Sequence, residues 1–216
     1  MNKFIHLGID ETTLGIGENS SIVVAAETTS EKLIQDLGYN SLKKSKDILR
    51  EYLTNPKISF TPYKEMLKKG LTNFHWTRAR AGRFNLKSLQ HAAIANVIKV
   101  NGYKPNNTII YIDAFYGDFE KSKYLIKEYL DRRNFKILIN HINIIGGGDR
   151  RIPIINYDDI LAFQIGLNLN KKYTKFQKYI FETDIYRQEI PFDEHRVMVP
   201  IDKKGRDILE ELILNY

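Results

Sequence analysis

Acidic side chains follow two short apolar runs of the chain, and such side chains are suited to binding divalent cations. The run at 4–9 is predicted to be a buried strand, and it leads directly into Asp10 and Glu11. A second predicted strand, at 108–112, is followed at once by Asp113. Carboxylates next to a core need a cation or another polar partner. The alternative for the first pair is that Asp10 caps a turn while Glu11 is hydrated.

Three more carboxylates lie near the last helix of a strand–helix alternation. Asp149 precedes this helix, which is predicted over 154–167, and Asp158 and Asp159 lie within it. When central strands run parallel, their ends meet at one edge of the sheet, so three or four carboxylates are expected to converge there. An oxygen-ligand site without thiols suits Mg²⁺ or Mn²⁺ better than Zn²⁺. Two such ions could activate water and stabilise a leaving oxygen in phosphodiester hydrolysis.

The elements that must position these carboxylates follow from hydrophobic periodicity. A hairpin joins the strand at 4–9 to a strand at 21–26, with Gly15 and Gly17 marking its turn. The later elements are predicted as a first helix that includes 48–53, further helices over 64–71, 86–100, 121–132 and 154–167, and strands over 57–60, 108–112 and 135–143. This order predicts an α/β fold, a mixed sheet flanked by helices, in which the strands ending at Asp10 and Asp113 are neighbours.

Composition places the chain among ordinary globular proteins. It has 216 residues, enough for one large domain or one domain with an appendage. Its 33 Lys and Arg against 26 Asp and Glu give a formal charge of +7, which favours a polyanion as partner. The chain has no cysteine, which excludes disulfides and thiolate metal sites. No apolar run approaches ~18 residues and no leader segment stands out, so we expect a cytoplasmic protein.

A cluster of lysines accompanies the first predicted helix. Lys43, Lys44 and Lys46 lie just before it or within its first turn, where Ser45 could cap it. Backbone N–H groups at a helix N-terminus and lysine ammonium groups both favour phosphate, so the cluster is a candidate contact for a nucleic-acid backbone. The alternative is an ordinary solvated helix face.

The segment at 73–84 combines arginines with aromatic residues. It contains Trp76, the only tryptophan of the chain, together with Arg78, Arg80 and Arg83. Guanidinium groups contact phosphates and an aromatic ring offers a stacking surface, so all four residues are candidate nucleic-acid contacts. The alternative is an exposed loop in which Trp76 folds back over the core.

The order of these motifs resembles that of the type 2 ribonucleases H, within the ribonuclease H-like superfamily. G-I-D-E at 8–11 resembles the opening motif of that family, and V-V-A-A at 23–26 is similar to its second strand. N-S-L-K at 40–43 with R-E at 50–51 resembles its D-S-K-x-L…R-E segment. I-D-A at 112–114 resembles its I-D-G strand end, and G-D at 148–149 is similar to its last Asp. The resemblance covers 4–167.

This resemblance implies a ribonuclease H-like fold and a metal-dependent nuclease that acts on nucleic acid, including RNA in RNA–DNA hybrids. It implies Mg²⁺ or Mn²⁺ as the cofactor, bound at Asp10, Glu11, Asp113 and Asp149. Y-D-D-I-L-A at 157–162 also resembles the A-D-x-x-A helix of other ribonuclease H-like families, so Asp159 competes with Asp149 as the final ligand. T-T-L-G at 12–15 replaces the G-R-G that follows the opening motif in the family.

The domain organisation follows from the extent of the resemblance. Residues 1–170 are expected to form the ribonuclease H-like domain, and 171–216 a C-terminal extension that packs on it. Two other functions stay open. The chain could be a non-catalytic nucleic-acid-binding module with the same fold, which would not need clustered carboxylates. G-I-D-E-T-T at 8–13 also resembles the first phosphate loop of sugar kinases and actin-like ATPases, but the sequence contains no second phosphate loop.

Overall fold

Five strands and five α-helices make up the regular structure of the described part of the chain. The computed structural model describes residues 3–12, 20–54, 63–80, 86–100, 102–114 and 118–169. The strands are β1 (Ile5–Thr12), β2 (Ser20–Thr28), β3 (Leu71–Arg80), β4 (Thr108–Asp113) and β5 (Ile142–Ile145). The helices are α1 (Ser45–Thr54), α2 (Tyr63–Lys69), α3 (Leu86–Val100), α4 (Phe119–Arg132) and α5 (Pro153–Leu169). No helix among these residues is both long enough and apolar enough to cross a membrane.

The strands form one mixed sheet in the spatial order β3-β2-β1-β4-β5. β2 pairs antiparallel with β1 on one side and with β3 on the other. β4 pairs parallel with β1 and with β5, and α4 supplies the crossover between β4 and β5. The predicted mixed sheet is therefore confirmed, as is the prediction that the strands ending at Asp10 and Asp113 are neighbours.

Helices cover both faces of the sheet. On one face, Leu7 and Ile9 of β1 pack in a buried core with α3 and α4. On the other face, the core joins Trp76 of β3 to α5. Because successive side chains of a strand point to opposite faces, Gly8 and Asp10 lie on the α5 face.

The close approach of α5 to β1 leaves no room for a side chain at Gly8. A Cβ atom built on Gly8 would meet Oδ2 of Asp158 and would lie 2.7 Å from Cγ1 of Ile154. A larger residue would have to push α5 away from the sheet. Glycine at this position therefore lets the first turns of α5 lie over the strand that carries Asp10.

Most predicted elements are present with ends shifted by a few residues, but two predictions are wrong. The strand predicted over 135–143 is confined to β5, because Phe135 and Ile137 fill the core from an irregular segment before it. The exposed loop given as the alternative for 73–84 is wrong too, because 73–80 belong to β3, whose pairing with β2 makes it an edge strand. The predicted strand at 57–60 and the extension at 171–216 lie outside the described residues.

Candidate metal centre

The carboxylates of Asp10, Asp113 and Asp149, called the Asp triad below, meet near the C-terminal ends of the neighbouring strands β1 and β4. Each offers an oxygen, and these oxygens lie within 4.8 Å of one another. Asp10 and Asp149 are buried, and Asp113 is half-buried. The structure thus brings together three of the carboxylates that the sequence put forward.

Asp10 and Asp113 lie close together because of strand register. Ile9 of β1 pairs with Ile112 of β4, so the next residue of each strand occupies a corresponding position. Alternation directs both carboxylates to the α5 face. Oδ1 of Asp10 also accepts a hydrogen bond from the backbone N–H of Glu11 at 2.7 Å, which fixes its orientation.

A tight turn after β5 carries Asp149 to the other two carboxylates. The 3₁₀ turn Gly148–Arg150 begins after Gly147, whose φ of 62° lies in the left-handed region that favours glycine. The N–H of Gly148 donates a hydrogen bond to Oδ1 of Asp113 at 2.6 Å. This bond fastens the turn that carries Asp149 to the end of β4.

The two oxygens of Asp149 have different surroundings. Oδ2 forms an ion pair with Nζ of Lys44. Oδ1 is buried and accepts no hydrogen bond from any residue that the structure describes. A buried carboxylate oxygen without a partner costs free energy, and a divalent cation would remove that cost. Because carboxylate oxygens are the ligands that Mg²⁺ and Mn²⁺ prefer, the Asp triad fits such an ion.

Burial and repulsion between charged carboxylates both favour the protonated forms of Asp10 and Asp113. Burial raises the pKa of Asp10 well above its ordinary value, and the charges of Asp159 and Asp113 raise it further. Burial, together with the charge of Asp149, raises the pKa of Asp113 to about 6. A bound cation would favour the ionised forms instead. Ionisation of both Asp10 and Asp113 is therefore unfavourable unless a positive charge balances it.

Glu11, the fourth predicted ligand, points to other partners. Its Oε2 accepts hydrogen bonds from Oγ of Ser21 at 2.9 Å and from Nε2 of Gln90 at 2.7 Å. Burial raises the pKa of Glu11, and these two hydrogen bonds oppose the rise. Sequence reasoning missed Ser21 and Gln90, because a single polar residue in a strand or a helix gives no local signal of its partner. A ligand role for Glu11 stays a prediction.

Asp159 uses both of its oxygens to hold the start of α1. Oδ2 accepts a hydrogen bond from the N–H of Ser45 at 2.7 Å, and Oδ1 accepts one from Oγ of Ser45 at 2.8 Å. A carboxylate in this position caps the helix. Asp149, by contrast, contributes an oxygen to the triad. The geometry therefore favours Asp149 over Asp159 as the final ligand.

Asn156 of α5, which sequence reasoning also missed, joins two segments of the site. Its Nδ2 donates hydrogen bonds to the carbonyls of Lys43 and Asp149, both at 2.8 Å. Asn156 thus ties Lys43, which precedes Lys44, and Asp149, which pairs with Lys44, to the same turn of α5. The available signal is a polar residue within the otherwise apolar I-P-I-I-N-Y at 152–157.

The three predicted basic contacts before and within α1 differ in their surroundings. Lys44 lies in the site and pairs with Asp149. Lys43 pairs with Glu51 at 2.6 Å on the surface, and Lys46 is exposed in the first turn of α1. Phosphate contact stays a prediction for Lys43 and Lys46, whereas a phosphate at Lys44 would have to compete with Asp149.

The predicted stacking role of Trp76 is wrong, because the structure buries this residue completely. Its side chain has 0% exposure and packs in the core on the α5 face, so no base can reach the ring. Arg78, two residues further along β3, is half-buried on the same face as Asp10. The side chain of Arg80 and all of Arg83 lie outside the described residues.

Two solved structures have a similar fold. A chain in the structure of the PCNA:RNase HII complex from Archaeoglobus fulgidus is similar to this protein, with 14% identity and a TM-score of 0.50. The match covers 98% of this chain and 90% of that chain. The crystal structure of ribonuclease H2 from Pyrococcus horikoshii OT3 matches 97% of this chain and 87% of its own, with 16% identity and a TM-score of 0.51. No protein-family model and no curated protein matches the sequence.

The chain therefore has the fold of the type 2 ribonucleases H. Its five-stranded mixed sheet, flanked by helices on both faces, is ribonuclease H-like. This confirms the predicted fold class, and at these identities the likeness is one of fold. On that fold, the Asp triad defines a candidate metal centre.

Proposed function

We propose that this protein is a metal-dependent nuclease that hydrolyses phosphodiester bonds in nucleic acid, with RNA in RNA–DNA hybrids as the first candidate substrate. The observation that carries the proposal is the Asp triad, whose carboxylate oxygens lie within 4.8 Å of one another at the edge of the sheet. The solved proteins named ribonuclease HII and ribonuclease H2 share the fold, which favours a ribonuclease over other hydrolases.

Asp10, Asp113 and Asp149 would hold Mg²⁺ or Mn²⁺ in this proposal. When bound, such ions would supply a Lewis acid and an activated water for phosphodiester hydrolysis. The chain supplies ligands that are already oriented, because backbone N–H groups of Glu11 and Gly148 hold the carboxylates of Asp10 and Asp113. Ligands fixed in this way lose little conformational freedom when a cation is bound.

Basic groups near the triad would hold the polyanionic substrate. Lys43 and Lys46 are exposed at the start of α1, and Arg78 lies on the same face of the sheet as Asp10. Together with the net charge of +7, these groups favour contact with phosphates. We assign them to backbone contacts, which carry affinity and not sequence preference.

One observation favours a second candidate function, a nucleic-acid-binding module without catalysis. The ammonium of Lys44 already pairs with Asp149, so part of the negative charge of the triad is balanced without a metal ion. Such a protein would bind nucleic acid through its basic surface and would cleave nothing.

A cleavage assay separates the two functions. Single-stranded, duplex and hybrid nucleic acids are incubated with the full chain in Mg²⁺, in Mn²⁺ or with a chelator. The nuclease proposal predicts cleavage that requires a divalent ion and stops with the chelator. Binding of these substrates without cleavage in any condition would leave the binding module as the function.

A further inference from the structure

Lys44 is an interior cation of the site. The side chain of Lys44 is 27% exposed and that of its partner Asp149 is 3% exposed, so this ion pair is largely withdrawn from water. Burial opposes the charge of Lys44, but the hydrogen bond and charge of Asp149, with the charges of Asp113 and Asp159, outweigh it and raise the pKa of Lys44. The ammonium therefore interacts with the carboxylates of the site as a group.

The position of Lys44 is fixed by its backbone. Its carbonyl accepts hydrogen bonds from the N–H groups of Asp47 and Ile48, both at 3.0 Å, so Lys44 is the residue that opens α1. The next residue, Ser45, is held by both oxygens of Asp159. The preceding residue is held through the hydrogen bond from Asn156 to its carbonyl. One turn of α5 thus fixes the backbone on both sides of Lys44.

We propose that Lys44 is the built-in counter-cation of the Asp triad: its ammonium balances the carboxylates when no divalent ion is bound and weakens the binding of that ion. The first part concerns the metal-free protein, and the second rests on the proposed metal-dependent function. The physical reason is the same for both, because a positive charge at Asp149 attracts the carboxylates and repels an incoming cation.

The free oxygen of Asp149 shows where this competition would act. Oδ2 is paired with Lys44, while Oδ1 is buried with no partner among the described residues. An ion bound through Oδ1 would lie close to the ammonium. It would therefore either displace the ammonium or be repelled by it, and each alternative lowers the affinity of the site for the ion.

The test compares Lys44→Met with Lys43→Met in the full chain. Lys43 is a matched control, because its ammonium pairs with Glu51 on the surface, where its side chain is 65% exposed. The readouts are the metal-free melting temperature in a chelator and the Mn²⁺ affinity measured by calorimetry without nucleic acid. Lys44→Met should lower the metal-free melting temperature and bind Mn²⁺ about tenfold more tightly than wild type, and Lys43→Met should change neither.

A double variant guards against simple misfolding. If Lys44→Met does not fold in the chelator, Lys44→Met/Asp149→Asn should fold, because it removes both members of the ion pair. Failure of that double variant to regain stability would overturn the proposal. So would a metal-free melting temperature of Lys44→Met equal to that of Lys43→Met, or weaker Mn²⁺ binding by Lys44→Met than by wild type.

The same data separate this inference from the proposed function. If Lys44→Met loses metal-free stability and no variant binds Mn²⁺, the counter-cation role is supported and the metal-dependent function is refuted. If wild type binds Mn²⁺ and Lys44→Met matches Lys43→Met in both readouts, the metal-dependent function stands and the role of Lys44 is refuted.

Discussion

Asp10 and Asp113 occupy corresponding positions of two adjacent parallel strands, directly after the paired residues Ile9 and Ile112. Neighbouring strands lie about 4.8 Å apart, so carboxylates at such positions on one face must be close together. Their repulsion is therefore a property of the fold, and α5 packs over the same face.

The packing of α5 on β1 should depend on the absence of a side chain at Gly8. We expect Gly8→Ala to lower the free energy of unfolding by about 1–3 kcal/mol, because the new methyl group would meet Asp158 and Ile154. Gly146→Ala is the control, since its Cβ would lie in ordinary contact, 3.7 Å from Phe119. Denaturant unfolding of both variants measures the difference, and equal stability would contradict the close packing.

Much of this fold could be predicted because it depends on local patterns. Asp10 and Asp113 directly follow short, bounded apolar runs of their strands, and alternation then assigns both residues to one face. The helices α3 and α5 are apolar segments of 15 and 17 residues, so their length and composition indicate buried helices. The mixed sheet follows from the hairpin and the alternation of elements after it.

The rest of the site depends on contacts that are distant in sequence. The sequence makes Asp159 a competitor of Asp149 as ligand, because its bonds to Ser45, 114 residues away, leave no trace in local sequence. Lys44 is a candidate phosphate contact for the same reason, since its partner Asp149 lies in a different segment. Trp76 is a stacking candidate because the arginines and aromatic residues at 73–84 hide the strand alternation that buries it.

Asp159 should matter for stability and Asp149 for metal binding. We expect Asp159→Asn to destabilise the protein by about 1 kcal/mol. The N–H and the hydroxyl of Ser45 each donate a hydrogen bond to Asp159, and in the variant one of them would face the NH₂ group of Asn, which cannot accept it. We expect Asp149→Asn to weaken Mn²⁺ binding more than Asp159→Asn does. Unfolding curves and calorimetry on the two variants decide the point, and the opposite order of Mn²⁺ affinities would make Asp159 the ligand.

The metal-free protein should lose stability as the pH rises through the range from about 4 to about 6. An unfolded Asp loses its proton near pH 4, while Asp113 in the folded protein keeps it until about pH 6. The folded state binds more protons in this window, so the free energy of unfolding falls with increasing pH. Melting temperatures in a chelator should show this slope, and Asp113→Asn should flatten it.

A divalent ion should oppose this pH dependence. Binding of Mn²⁺ requires ionised carboxylates, so its affinity should increase over the same pH range. The difference between melting temperatures with and without Mn²⁺ should therefore grow from pH 4 to pH 7. A constant difference would show that the ion does not bind at Asp10 and Asp113.

Arginines at the end of β3 and beyond it should contribute to nucleic-acid binding through charge. Replacing Arg78, Arg80 and Arg83 by Gln should weaken binding. It should also make the slope of log affinity against log salt concentration shallower, by the equivalent of up to about three phosphate contacts. Trp76→Phe is the control: because Trp76 is fully buried, this substitution should change stability and leave the salt dependence of binding unchanged. An unchanged salt slope in the triple variant would remove these arginines from the binding surface.

If the Asp triad is a metal-dependent catalytic site, Asp10→Asn should remove most of the cleavage rate. Asp118→Asn is the matched control, because Asp118 caps α4 through its side chain and Asn caps a helix equally well. In Mg²⁺ or Mn²⁺, Asp10→Asn should lose cleavage by orders of magnitude, keep its fold and still bind nucleic acid, while Asp118→Asn should cleave like wild type. Cleavage by Asp10→Asn at the wild-type rate would show that the Asp triad is not the catalytic site.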